Sequence, residues 1–248
     1  MRRRLPTLLA VVLIACGGAG SLEGPEVTAT GPPEIDFALV RRHAQQFDVD
    51  LPSRPPGSQQ ELAAATYILG HLQLAGYAPL LDAVPVRDQV HSSNVIAVPP
   101  SGAEPKVVVT VAYDTSGQGL HTGTEIGLFL ELARALNIAV PDHAVGFAAL
   151  GAEGADGRGS AALLGFFEEQ GLEPSVISVR TGARGGESLY AQGSCTTTDF
   201  QLMAFEDCSD NAQSDATFSP RRFQFTRVEG DPEVMGGTLF EFLLGVPD

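Results

Sequence analysis

The chain has 248 residues, enough for one sizeable α/β domain or two small ones. It is 44% hydrophobic with 28 Gly and 17 Pro, which leaves room for a packed core and rules out global disorder. Fifteen Lys and Arg stand against thirty Asp and Glu, a net charge of −15, which weighs against a nucleic-acid partner because its phosphates would be repelled.

Arg2, Arg3 and Arg4 open the chain, an apolar run covers 5–15, and Cys16 follows. A charged start before an apolar stretch too short for a bilayer is the pattern of a secretory signal. Its end, Leu13-Ile14-Ala15-Cys16, resembles the lipobox of bacterial lipoproteins. That resemblance implies removal of residues 1–15 and lipidation of Cys16, which would anchor the protein to a membrane. The alternative is an ordinary signal cleaved near Ala19 or Gly20. Gly17, not being Asp, implies sorting to the outer membrane, facing the periplasm or the surface. Residues 16–33 are rich in Gly, Pro, Ser, Thr and Glu without apolar period, and read as a flexible tether. Without residues 1–15, twelve basic residues face thirty acidic ones, a net charge of −18. Cys195 and Cys208 are the remaining cysteines, and an oxidising compartment permits a disulfide between them, the alternative being two free thiols.

The domain is expected over 34–248. Phe37, Val40, His43 and Phe47 recur at helical spacing over 34–47, with Asp36 near the start. A Pro-rich turn covers 50–57, and Ser58 with Glu61 has the spacing of a capping box. The helix that follows, to about Ala75, is expected to bury Leu62, Ala65, Leu69 and Leu72 before Gly76 stops it. Short strands are predicted at 93–98, 106–111, 144–150 and 175–179, with helices at 122–137 and 157–170 between them. The near-continuous apolar runs predict strands buried on both faces. Beyond Arg180 the pattern weakens: residues 181–211 are rich in Gly, Ser and Thr around one apolar run at 200–205. An edge strand at 223–228 and a final helix at 234–244 are expected. Strands alternating with helices predict an α/β domain of three layers, with a largely parallel central sheet flanked by helices.

The order of motifs carries a resemblance. Arg54-x-x-Gly57-Ser58, Ala75-Gly76-Tyr77, Ser93-Asn94-Val95-Ile96-Ala97, the run 107–114, Leu130-Glu131-Leu132-Ala133-Arg134, Val145-Gly146-Phe147 and Gly159-Ser160 together resemble the M28 peptidases, the zinc-dependent aminopeptidases related to glutaminyl cyclases. The resemblance is clearest over 50–180. It implies a cleft at the C-terminal edge of the sheet, where that family binds peptides. There two zinc ions, bridged by a carboxylate and a water, supply hydroxide, and a Glu accepts the proton.

Residue by residue the resemblance breaks at the metal. Where the family has His-Tyr-Asp, this chain has Ala112-Tyr113-Asp114, and a methyl group coordinates nothing. The position of the bridging Asp falls on His121. The family's Glu-Glu is Glu153-Gly154: the proton acceptor is kept and the neighbouring ligand is lost. The ligand Asp ending the next strand is Arg180, a cation that would oppose a metal. The family's last ligand His has no counterpart, since no His follows His143, and Ser214-Asp215-Ala216 puts Ala216 in the place of that His. The resemblance therefore implies a degenerate member: no zinc or other cofactor, no catalysis, Glu153 a vestigial base or a leftover acid paired with Arg180 or Arg158. The partners expected are the membrane, through the lipid, and a peptide or protein in the old cleft. The alternative is an active zinc aminopeptidase with atypical ligands, including a single-zinc site made of His121, Asp114 and Glu153. Ser116 and Ser160 lack a Gly-x-Ser-x-Gly elbow, and 151–159 is no phosphate-binding loop. His43, His71 and His143 read as structural or surface groups.

Overall fold

A computed structural model describes residues 30–115, 123–181, 189–193, 205–209 and 225–246, with side chains outside 180–230. Eight strands form one sheet in the order β1-β2-β4-β3-β5-β8-β6-β7. They are β1 (Leu80–Arg87), β2 (Val90–Ala97), β3 (Val107–Ala112), β4 (Val145–Leu150), β5 (Ser175–Thr181), β6 (Leu189–Gly193), β7 (Phe205–Ser209) and β8 (Phe225–Gly230). The helices are α1 (Phe37–Gln45), continued by a π turn at Gln46–Asp50, α2 (Gln59–Leu74), α3 (Gly123–Ala139), α4 (Arg158–Gln170) and α5 (Pro232–Leu244). The centre of the sheet, β4-β3-β5-β8, is parallel. β1 and β2 are antiparallel on one side, and β6 runs antiparallel to β8 on the other.

Side chains alternate across a strand, so each central strand feeds two cores. Val107, Val109 and Val111 of β3, with Phe147 of β4 and Ile177 of β5, face the larger core under α1, α2, α3 and α5. Val108, Ala148, Leu150 and Val176 point the other way, toward Leu163 and Phe167 of α4. That is the three-layer arrangement the apolar runs predict. The α1–α3 contact is close because α3 presents glycines: a Cβ on Gly127 would run into the carbonyl of Val40, and one on Gly123 into the carbonyl of Ala44.

Asp36 caps α1 through Ala38 N at 2.8 Å, and Ser58 caps α2 through Glu61 N at 3.1 Å. α2 is rotated from its expected face. Glu61, Ala64, Ala65, Ile68 and Leu72 are buried, whereas Leu62 is 49% exposed. Two apolar stripes overlap on this helix, and the hydrogen bonds of Glu61 select the one that contains it. The strand expected at the sheet's edge, found as β8, is interior, because β6 and β7 extend the sheet beyond it. The true edge near the start is β1, where Pro85 is tolerated as it would not be in a central strand. Residues 30–33, placed in the tether by composition, and Glu34 lie against α3. Arg134 donates to the carbonyls of Thr30, Pro32 and Glu34, and Glu131 accepts from the amide of Asp36.

His43, His71 and His143 are engaged in the packing. His143 Nδ1 accepts from the amide of Val145 at 3.1 Å, so Nε2 carries the proton toward Tyr77 Oη at 3.0 Å, and that hydroxyl donates to the carbonyl of Ala133. His43 of α1 meets Tyr67 Oη through Nδ1 at 2.8 Å and lies edge-on to His71 of α2. Burial lowers the His43 imidazole from 6.5 to about 4, and the nearby His71 and Arg42 add to it. The unfolded chain gains this proton below about 6.5 and the folded one only near 4, so the stability is complete above 6.5 and is lost as the pH falls toward 4. Denaturant midpoints across this window should show His43→Gln losing less stability on acidification than the unsubstituted protein, by on the order of 2–3 kcal/mol. Parallel curves would mean that His43 is not the titrating group.

Candidate functional site

The parallel strands β3, β4 and β5 end together, and this C-terminal edge gathers the family-related positions. Ala112, half-buried, ends β3 and pairs in register with Leu150 at the end of β4. Arg180 lies two residues beyond Ser178, the partner of Thr110, and pairs in register with Glu229 of β8. The sequence thus brings Ala112, Glu153, Gly154 and Arg180 to one edge. His121, Ser116, Ala216, Cys16 and Cys195 lie outside the described residues, and Cys208 sits on β7.

The loop after β4 is held in a particular shape. Ala152 and Asp156 adopt φ of 53° and 58°, left-handed values unusual for side-chain-bearing residues. Hydrogen bonds from the Ala155 amide to Ala152 O and from the Gly157 amide to Glu153 O close the turn. Asp114, 4% exposed, grips it with both oxygens: Oδ1 accepts from Glu153 N at 2.8 Å and Oδ2 from Gly154 N at 3.0 Å. Burial pushes the Asp114 carboxyl above its ordinary value, and the two amide bonds oppose that rise. Asp114 is therefore a positioning acid for the loop.

Glu153 is committed as well. Its Oε2 accepts from Ser160 N at 2.9 Å and its Oε1 from Ser160 Oγ at 2.7 Å. Gly157, the residue before α4, offers no side-chain cap, so the carboxylate of Glu153 takes that role at the positive end of the helix. Arg158, one partner expected for Glu153, instead reaches the carbonyl of Pro85. The Gly-Ser pair is explained in the same way. A Cβ on Gly159 would strike the carbonyl of Gly151, and a Cβ on Gly151 would strike Ser92 Oγ. Asn94 completes the joint, donating to Gly159 O at 2.8 Å and accepting from Gly151 N at 3.2 Å.

Two buried charges set the frame beneath this edge. Glu61, 2% exposed, accepts from Gly57 N at 2.5 Å, Ser92 Oγ at 2.6 Å and Ala152 N at 3.1 Å. Arg54, 1% exposed, donates Nε to Tyr113 O at 2.6 Å and Nη1 to the carbonyls of Phe47 and Leu51, and lies over the Phe47 ring. Burial lowers the Arg54 pKa, and Asp48 and Asp114 work against that. Sequence reasoning assigned Glu61 to a cap and left Arg54 and Asn94 as motif letters. The available signal was that Glu61 falls on the stripe of Ala65, Ile68 and Leu72.

A pair of zinc ions does not fit the donors described at this edge. Ala112 and Gly154 have no side-chain donor, and both carboxylates already accept two hydrogen bonds each from the chain. Among the described residues no group of three or more His, Cys, Asp or Glu is gathered as a metal site.

No family model and no curated protein sequence matches the chain. Solved structures do. A leucine aminopeptidase precursor from Bacteroides thetaiotaomicron superposes with a TM-score of 0.69 at 14% identity, over 88% of this chain and 99% of that one. The fold is aminopeptidase-like. A glutaminyl cyclase from the same organism gives 0.66 at 15% identity, over 88% and 100%. A protein described as a Zn-dependent exopeptidase, from Bacteroides vulgatus, gives 0.64 at 15%, over 88% and 100%. At these identities the likeness establishes the aminopeptidase-like fold, the fold class expected from the sequence.

If Glu61 locks this frame, Glu61→Ala should cost roughly 3 kcal/mol or more in chemical denaturation, because it strands the Gly57 and Ala152 amides and Ser92 Oγ without an acceptor. Ser92→Ala, which removes one of the three bonds, should cost about 1 kcal/mol. Equal, small losses for both would show that Glu61 is not the hub.

Proposed function

We propose that this is a non-catalytic binding or scaffold protein on an aminopeptidase-like fold, held at the bacterial cell envelope by a lipid on Cys16. The reading is supported most by the state of its two surviving acids. In an exopeptidase of this kind, the acid after the fourth strand must be free to take a proton from a metal-bound water. Here Glu153 is the cap of α4, and Asp114 clamps the loop that carries it. With Ala112 and Gly154 at the expected ligand positions, the described residues of the edge lack the donors that would neutralise two divalent cations, and Arg180 near the end of β5 adds a positive residue to the same row. What remains is a strand edge at which a peptide or a protein segment is the ligand class best suited to the fold.

The experiment is elemental analysis of the purified mature domain, before and after incubation with zinc, together with aminopeptidase and glutaminyl-cyclase assays. No stoichiometric zinc and no turnover are expected. Zinc-dependent turnover that disappears in Glu153→Gln would overturn the proposal and establish a peptidase with atypical ligands.

Export is the other half of the proposal. Cys16→Ser should move the protein from the membrane to the soluble fraction. The unfolded, unreduced soluble domain should show no free thiol, because Cys195 and Cys208 are bridged. A Cys16→Ser protein that still sediments with membranes would place the anchor elsewhere. Among the described residues no helix is long and apolar enough to cross a membrane.

A further inference from the structure

The sheet has a free edge at β1, and the two halves of that edge are built differently. Natural proteins blunt such edges with proline, bulges or charge, because a row of unpaired backbone groups invites another chain. From Pro85 to Arg87 all three devices are present. Pro85 has no N–H to offer, the register of β1 on β2 shifts between Pro85 and Arg87, and Arg158 of α4 takes the Pro85 carbonyl at 3.1 Å. From Leu80 to Ala83 the edge is left bare of them. Leu80 is 40% exposed and Leu81 47%, and Ala83 is exposed as well. A proline fits an edge strand with its nitrogen turned to solvent, and the backbone groups of alternate residues point the same way. The register is unbroken from Leu80 to Pro85, so the amides and carbonyls of Leu81 and Ala83 share the outward side of Pro85.

The same stretch carries charge that the described residues do not balance. Asp82 of β1 lies near Glu169 in the last turn of α4, and burial and the Glu169 charge both raise the Asp82 pKa. Among the described residues no cation is paired with either acid. Two like charges held together without a counter-ion are a cost that an incoming ammonium or guanidinium relieves. Leu80, two residues from Asp82, shares its face of the strand. We propose that Leu80–Ala83 of β1 is a docking edge for an extended segment of another protein, which adds as an outer strand, sets a lysine or arginine against Asp82 and Glu169, and lays an apolar side chain beside Leu80. The net charge of −15 draws a basic segment toward the protein from a distance. A second copy of this chain is the poorer occupant, because two such edges paired about a two-fold axis would gather both Asp82–Glu169 pairs. This surface is separate from the strand-end cleft proposed above.

The test titrates the purified protein into a fluorescein-labelled, end-capped peptide, Thr-Leu-Thr-Lys-Thr-Val, whose leucine and lysine project from one face when it is extended. Fluorescence anisotropy should show saturable binding that weakens as salt rises. A peptide with glutamate in place of lysine should bind at least about ten-fold more weakly. Methylating the backbone nitrogens of one alternate set of peptide residues should abolish binding, and methylating the other set should not, since only one set faces β1 in a ladder. Asp82→Asn and Glu169→Gln should each weaken binding about three-fold, and together about ten-fold. Ala83→Pro, at an outward amide, should remove it. Leu81→Lys, which keeps the backbone and adds a charge that blunts the edge, should weaken it at least about five-fold. Binding that none of these substitutions alters would place the peptide elsewhere, the C-terminal edge of the sheet included, and would overturn the proposal. So would equal affinity for the lysine and glutamate peptides, or no saturable binding up to about 1 mM. A dimer in sedimentation that Leu81→Lys dissolves would overturn it in favour of a second copy of the chain.

Discussion

A carboxylate buried at the start of α2 joins three distant pieces of chain. Glu61 takes donors from the turn before α2, from β2 and from the loop after β4, so each of those pieces has one position in which the charge is satisfied. A buried ion left without partners is prohibitively costly, and this one is therefore restrictive in proportion to the charge it hides. The rotation of α2, the register of Ser92 and the left-handed turn at Ala152 all follow from it. Arg54 does the same work from the other side, tying the π turn and the end of β3 into one unit.

The residues that carry the family resemblance are, in this structure, the residues of that frame. Arg54 and Gly57 serve the buried charges, Asn94 and Gly159 form the joint between β2 and α4, and Glu131 with Arg134 fastens the N-terminal strap. None of these needs a metal to be useful. Ala112, at the end of β3, and Gly154, just after β4, carry no side-chain donor. Architecture and chemistry are separable in this fold because different side chains carry them, which is why the likeness to solved aminopeptidases and a glutaminyl cyclase extends over most of the chain at about one residue in seven identical.

The central layers were legible because burial on both faces imposes a pattern that is hard to counterfeit. The valines of β3 and the apolar run of β4 could only be interior strands, and helix caps at Asp36 and Ser58 announced their helices. The periphery was not. β1 carries Pro85 and an irregular pattern of exposure, and β6 and β7 arise from Gly- and Ser-rich chain whose pairing with β8 depends on partners far away in sequence. At the site, only residue identities were legible: Ala112 and Gly154 carry no donor. The sequence did not tell that Glu153 caps α4, because a carboxylate seven residues before its partner serine has no local signature, only the loop geometry that Asp114 enforces.

The two cores differ in how firmly they hold. Four helices share the larger one, while α4 covers its face with Leu163 and Phe167 above a few strand residues. Segments with less buried apolar area open locally at lower free energy than the whole molecule unfolds. When α4 frays from its first turn, the amide and hydroxyl of Ser160 leave Glu153 together, and the helix loses its cap. The shape of the loop after β4 is thus coupled to hydrogen exchange in a single helix: the slower the α4 amides exchange, the more firmly that loop is held at the strand edge.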